Sequence, residues 1–281
     1  MKAPAVQYLR PGTLEECLAA LAEYGDEAEI LAGGQSLMPM LNLRLVGPTV
    51  LVDIGGLSEL RAMRHEADHM VVGSLQTHAN IASSADIKRH LPLLAQAAPH
   101  IGHVAIRSRG TIGGSVALAD PAAEWPACCL ALDAKIELAS SKGTRRIPAD
   151  DFFLGIYSTE RQPDELITAI RFPIPDIALS HVFDEVSRRR GDFAIAGLAF
   201  CYRLNGSTMA NVRLALLGVA DRPILARNTM AALEGASLSG EAIKAAAKEL
   251  SAELDPPPDP AYPADYRRRV ARTLLERTLI N

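Results

Sequence analysis

Two short segments of the same chemistry constrain this chain more than any other feature. Leu31-Ala32-Gly33-Gly34-Gln35-Ser36 and Thr111-Ile112-Gly113-Gly114-Ser115 each set two residues without a Cβ beside residues able to hydrogen-bond. At the end of a strand, such a segment exposes backbone N–H groups and can form an anion-binding nest. One Gly-Gly pair is usually only a turn. Two with matching companions predict a pair of loops that hold a diphosphate from both sides, by dipoles rather than by lysines. A third pair, Gly55-Gly56, lacks polar companions and reads as a plain turn, so it serves as an internal control. Neither a GxGxxG fingerprint nor a GxxxxGK(S/T) loop occurs, which leaves no support for a Rossmann site or a P-loop.

Composition removes several function classes. Lys+Arg 29 against Asp+Glu 33 gives a net charge of -4, without the basic excess that nonspecific nucleic-acid binding needs. The longest nearly apolar run, Phe193 to Tyr202, falls short of the roughly 20 residues of a membrane span. Met1-Lys2-Ala3-Pro4 is followed by no apolar stretch, so a secretory signal is not expected and a cytoplasmic location is. The four cysteines, Cys17, Cys128, Cys129 and Cys201, form no CxxC pair; they read as buried apolar residues, with no metal or iron-sulfur signature in this chain. His78, His100 and His103 likewise suggest no ligand set and no acid-base role. With 281 residues, one large domain or two unequal ones are expected.

Along the chain, Thr13 to Tyr24 predicts an amphipathic helix with Thr13 as N-cap and Glu16 completing a capping box. Glu29 to Leu31, Val50 to Ile54 and His69 to Gly73 read as strands, and Ala79 to Leu94 as helical pieces broken around Pro92. Pro121 to Leu132 predicts a helix with Pro121 in its first turn. Lys135 to Ala139 and Glu165 to Phe172 alternate as strands before Pro173 and Pro175 break the chain, which sets the expected domain boundary near residue 175. Beyond it, Val182 to Ser187, Ala194 to Leu204 and Val212 to Val219 predict an antiparallel sheet. Helices at Leu225 to Leu233, Gly240 to Leu250 and Ala264 to Thr278 follow it. The fold class expected is α+β, with residues 1–175 (subdomains about 1–55 and 56–175) followed by a smaller α+β unit at 176–281.

Three stretches carry a resemblance to a known family: LAGGQSLMPMLNLRL at Leu31 to Leu45, IRSRGTIGGSVALADPAAEWP at Ile106 to Pro126, and DDFFLGIYSTERQPDELITAIRFP at Asp150 to Pro173. They resemble the FAD-binding medium subunit of molybdenum hydroxylases, the family of carbon monoxide dehydrogenase and xanthine dehydrogenase. YRRRVARTLLERTL at Tyr266 to Leu279 is similar to that subunit's C-terminal domain. The resemblance implies an FAD site between two subdomains of the vanillyl-alcohol-oxidase-like (PCMH) type. It implies an oxidoreductase component that carries electrons and holds no catalytic group of its own. Electrons would come from a molybdopterin-binding large subunit through the 2Fe-2S clusters of a small subunit and leave to an external acceptor, in a dimer of heterotrimers. The alternatives are a stand-alone FAD-dependent oxidoreductase with its own substrate, and a non-enzymatic docking subunit.

Carried over by residue, the resemblance implies that Ala32, Gly33, Gly34, Gln35, Ser36 and Leu37 line the diphosphate and ribityl part of FAD, with Thr111, Gly113, Gly114 and Ser115 as the opposing loop. Glu124 would accept hydrogen bonds from the cofactor's hydroxyl groups; otherwise it is a surface carboxylate on a helix. Ile101 and Gly102 would approach the cofactor and Leu166 would pack against its flat ring. Two positions depart from relatives that place a lysine and a tyrosine near the ring, because here they match Glu185 and Phe193. A carboxylate there opposes the anionic reduced flavin or points elsewhere, and Phe193 is either a ring-packing face or a buried strand residue. The runs Arg188-Arg189-Arg190 and Arg267-Arg268-Arg269 read as solvated faces or as contacts to sister subunits.

Overall fold

The computed structural model describes residues 3–174 and 179–280. The expected boundary near Pro175 therefore lies outside the described residues.

The first unit is a small parallel sheet. Val50–Asp53 lies between Gln7–Leu9 and Ala28–Leu31, parallel to both. The helix Leu14–Tyr24 packs its Cys17 and Leu21 face on that sheet. Its N-cap is as expected: the Thr13 hydroxyl accepts from the Glu16 N–H at 3.2 Å, and Glu16 reaches back to the Gly12 N–H, one residue before the cap, at 2.7 Å.

The second unit is a five-stranded antiparallel sheet in the order Met63–Glu66, His69–Gly73, Leu166–Pro173, Lys135–Ser140, Gly143–Pro148. Leu166–Pro173 is its central strand although it comes last in sequence, so the sheet cannot close until the whole segment is made. Three short helices, His78–Ser83, Ala85–His90 and Pro92–Ala97, supply the expected broken helical stretch. Leu91 stops the second and Pro92 opens the third, at a first turn that needs no N–H there.

Two expectations are corrected. The helix predicted from Pro121 begins instead at Glu124 and ends at Ala131. The Asp120 carboxylate takes the Ala122 N–H at 2.8 Å, and the Pro121 carbonyl accepts from Gly218 N at 2.8 Å, so residues 120–123 form a turn rather than a first helical turn. The predicted helix from Leu225 begins at Arg227, because Ile224–Leu225 adds a short strand to the third sheet.

That third sheet is antiparallel, in the order Ser180–Ser187, Ala194–Asn205, Thr208–Leu217, Ile224–Leu225. Its central strand explains the nearly apolar run found in the sequence. Side chains alternate between faces. Leu198 and Phe200 pack against the helices Arg227–Leu233, Gly240–Glu253 and Ala264–Ile280. Ala199 and Cys201 face the core of the second unit, where the buried helix Glu124–Ala131 lies. Among the described residues, no helix is long and apolar enough to cross a membrane.

The arginine run at 267–269 is largely used inside the fold. Arg267 is 13% exposed at its side chain and bonds the carbonyl of Ile195 at 3.2 Å, the carbonyl of Gly218, and the Asp259 carboxylate at 2.6 Å. Arg268 holds the Leu254 carbonyl at 2.9 Å and Asp265 at 2.8 Å. Arg188, Arg189 and Arg190 are exposed.

Candidate flavin site

The two glycine loops meet. An added Cβ at Gly33 would lie 2.2 Å from the Arg109 carbonyl oxygen and 2.9 Å from Gly110 Cα, so the first loop sits directly on the backbone that leads into the second. Gly113 is equally closed, because its Cβ would fall 2.4 Å from Ser74 Cβ. No side chain fits either position while the loops remain in contact.

The second glycine of each pair faces the other way. Gly34 has φ +72°, a conformation that glycine adopts without strain. Gly114 is exposed; its added Cβ would have only the Thr111 hydroxyl, at 3.0 Å, and Ala32 Cβ of the other loop, at 4.0 Å, for neighbours.

The hydrogen bonds separate the loops further. In the second, Thr111 caps the helix Ile112–Leu118 by accepting from the Gly114 N–H at 3.1 Å. Gly113 N donates to the Ser74 carbonyl at 2.9 Å and Ser115 N to the Thr111 carbonyl at 3.1 Å. In the first, no backbone N–H from Gly33 to Leu37 donates to a protein acceptor among the described residues. Gln35 folds its carboxamide onto the Gly33 carbonyl at 3.1 Å. Ser36, exposed at the start of the helix Leu37–Asn42, makes no cap hydrogen bond with its side chain. The first loop thus offers a row of free donors and a free hydroxyl, which suits an anion. The second offers a surface without side chains. The second loop does not repeat the chemistry of the first: its Gly113, Gly114 and Ser115 N–H groups are taken by the Ser74 carbonyl, the Thr111 hydroxyl and the Thr111 carbonyl.

Glu124 stands at the first turn of its helix and is 8% exposed, so the surface-carboxylate alternative is excluded. Burial, followed by the charge of Glu185, pushes its carboxyl up to about 8. Its own backbone N–H lies against the carboxyl, and hydroxyl groups of a ligand would supply further donors. Ile101 and Gly102 are held by Arg107, whose guanidinium bonds their carbonyls at 3.1 and 2.7 Å. Phe193 is 72% exposed, so it is not a buried strand residue. Leu166 is buried among Val52, Ile54, Leu60 and Leu75 in the core of the first unit, the cluster against which Ala32 of the first loop packs.

Sequence reasoning missed His78 and Trp125. The Trp125 indole N–H donates to His78 Nδ1 at 2.8 Å, and the His78 backbone N–H donates to the Gly110 carbonyl at 3.0 Å. Burial, helped by the Arg107 charge, lowers His78 to about 4, which keeps it neutral. It ties the Glu124 helix to the second glycine loop. No local pattern signals this, because the partners stand 47 positions apart.

Free backbone donors on one loop, a facing glycine surface and a buried carboxyl make a candidate nucleotide-cofactor site between the first two units. Comparison with known proteins makes that class specific. The family described as the FAD binding domain in molybdopterin dehydrogenase matches residues 4–175, and the CO dehydrogenase flavoprotein C-terminal domain matches residues 181–281. The chain is 40% identical over 280 residues to the 6-hydroxypseudooxynicotine dehydrogenase complex subunit alpha of Paenarthrobacter nicotinovorans, covering 99% of this chain and 95% of that one. It is 36% identical to the carbon monoxide dehydrogenase medium chain of Hydrogenophaga pseudoflava, covering 98% and 96%. Among solved structures, the carbon monoxide dehydrogenase from Hydrogenophaga pseudoflava superposes with a TM-score of 0.96 at 37% identity, over 99% of this chain and 96% of that one. Quinoline 2-oxidoreductase from Pseudomonas putida 86 gives 0.95 at 35%, over 100% and 97%.

The chain belongs to the FAD-binding medium subunits of molybdenum hydroxylases. It is an oxidoreductase component, FAD is its cofactor, and neither the stand-alone nor the docking-only alternative is favoured by its relatives.

Proposed function

We propose that the row of free N–H groups from Gly33 to Leu37 holds the FAD diphosphate, with Ala32, Gln35 and the Ser36 hydroxyl beside it. Those open donors carry the reading. Thr111, Gly113, Gly114 and Ser115 form the opposite wall, and Glu124 accepts from the hydroxyl groups of the ribityl or ribose portion. Ile101, Gly102 and Phe193 frame the flavin ring, and Leu166 backs it from the core.

FAD supplies one- and two-electron chemistry when bound. The chain's own contribution is to hold it in a fixed place with little net charge and to close one side of it from water. Electrons reach it from the 2Fe-2S clusters of a small partner subunit, which receives them from a molybdopterin-binding large subunit, and they leave to an external acceptor. The assembly is a dimer of heterotrimers in the cytoplasm. Four free, buried cysteines suit a reducing compartment. The division at about residue 175 separates the FAD-binding part from the C-terminal unit and agrees with the two matched spans.

The test is the purified complex. It should show flavin absorbance in the visible and release FAD on denaturation in a one-to-one ratio to this chain; a complex with its metal centres intact and no flavin would sink the reading.

A further inference from the structure

The helix Glu124–Ala131 is buried along all eight of its residues, and Ala123 before it makes no cap with its side chain. Its start is set by the turn at 120–123. Asp120 holds that turn from within: its carboxylate accepts from the Ala122 N–H at 2.8 Å and its carbonyl from the Ala123 N–H at 3.0 Å. From outside, the Pro121 carbonyl takes the Gly218 N–H at 2.8 Å. Gly218 directly follows the strand Thr208–Leu217 of the third sheet, so the turn before Glu124 is fastened to the C-terminal unit. The same strand reaches the other end of the helix, where Arg213 donates to the Leu130 carbonyl from Nε at 3.3 Å and from Nη2 at 2.7 Å.

Gly218 is itself held. It is buried at φ +75°, and an added Cβ would lie 2.9 Å from the Ile195 carbonyl oxygen and 3.0 Å from that of Ala194. Its carbonyl accepts from Arg267, whose guanidinium also donates to the Ile195 carbonyl at 3.2 Å, the Tyr262 carbonyl at 3.3 Å and the Asp259 carboxylate at 2.6 Å. Asp259 is fixed in turn by the N–H groups of Ala261 at 2.8 Å and Tyr262 at 3.3 Å. It comes from the proline-rich segment at 255–260. A continuous row of hydrogen bonds therefore runs from that segment through Arg267 and Gly218 to Pro121, three residues before Glu124. Networks of this kind hold a buried element in one arrangement when every member is satisfied.

We propose that Arg267 is a positioning residue for Glu124, fixing through Gly218 and Pro121 the place at which the Glu124 carboxyl meets FAD. This rests on the FAD reading above. The planar fork of the guanidinium matters, because one side chain serves three carbonyls and a carboxylate in fixed directions, and an ammonium group offers only a single centre. With the far end of the helix pinned by Arg213, loss of Arg267 frees the Glu124 end alone. The contribution of Glu124 to FAD affinity then falls, whereas that of the first glycine loop persists.

The experiment is a double-mutant cycle on FAD affinity, measured by flavin fluorescence as FAD is titrated into the complex stripped of its flavin. Arg267→Ala should weaken FAD binding about tenfold in the parent and less than about twofold in Glu124→Gln. Arg267→Lys should fall between Arg267→Ala and the parent, and its loss should also vanish in Glu124→Gln. An equal loss in both backgrounds, the signature of a general loosening of the fold, overturns the proposal, and so does an unchanged affinity in Arg267→Ala. If Arg267→Ala does not assemble, Arg267→Lys is carried through the same cycle, where a loss confined to the Glu124 background supports the proposal and an equal loss or none overturns it. A Glu124→Gln complex that binds FAD as tightly as the parent overturns the underlying place of Glu124 in the FAD site, and is recognised from that single variant.

Discussion

The two glycine loops look alike in sequence and do different work in the structure. In each, the first glycine is demanded by the protein itself: Gly33 by the Arg109 carbonyl and Gly113 by Ser74. The second has no backbone pressed against it: Gly34 is required by its φ of +72°, while Gly114 faces open space beyond the Thr111 hydroxyl. The loops differ again in their hydrogen bonds. The second spends its N–H groups on the Ser74 carbonyl and on Thr111, and the first leaves its row free. On the reading proposed above, a diphosphate would gain its hydrogen bonds from one side and its room from the other.

The largest expected effect comes from breaking the contact between the loops. Gly33→Ala places a methyl group 2.2 Å from a backbone carbonyl that cannot rotate away, which should cost about 3 kcal/mol or more. Urea unfolding of the purified chain would measure it, and FAD retention should fail with the fold. Gly114→Asp separates cofactor binding from folding. Its side chain enters the open space with a negative charge, so FAD affinity should drop by about two decades while the unfolding midpoint stays near that of the parent. Equal retention of FAD in this variant would show that the second loop does not border the diphosphate.

Glu124 gives a pH-dependent test of the same cleft. Its carboxyl is raised to about 8, first by burial and then by the Glu185 charge. Between the ordinary carboxylate range and pH 8, the folded FAD-free chain binds a proton that the unfolded chain has released. Stability should therefore fall as pH rises through that window. Glu124→Gln removes the titrating group, and the decline between about pH 6 and about pH 8, on the order of 2 kcal/mol, should flatten. A parallel decline in both proteins would show that Glu124 is not the source. The smallest effect belongs to the control pair. Gly56 has only the end of the Arg10 side chain near its added Cβ, at 3.6 Å; Gly56→Ala should change stability by less than about 0.5 kcal/mol and leave FAD content intact.

Much of this was legible from local pattern. The Thr13 cap, the strand His69–Gly73 and the helix beginning at Ala264 follow from spacing and capping chemistry, because their causes lie within a few residues. The failures share a different cause. The helix start at Glu124 depends on Asp120 and on Gly218, which is far along the chain. Arg267 reads as one residue of an exposed basic run, but its partners are carbonyls at 195 and 218. Strands such as Gly143–Pro148, with five of six residues exposed and only Ile147 buried, carry no apolar alternation and are not legible for that reason.

The sequence by itself determined where the two glycine loops with polar companions fall, that neither carries a lysine, and which family the motifs resemble. Only the tertiary structure decided which loop keeps its donors free, that Glu124 is buried near Glu185, and that Phe193 stands exposed. Each of these depends on contacts between segments that are distant along the chain. A hydrogen bond or a burial is a property of both partners, and a local pattern describes only one of them.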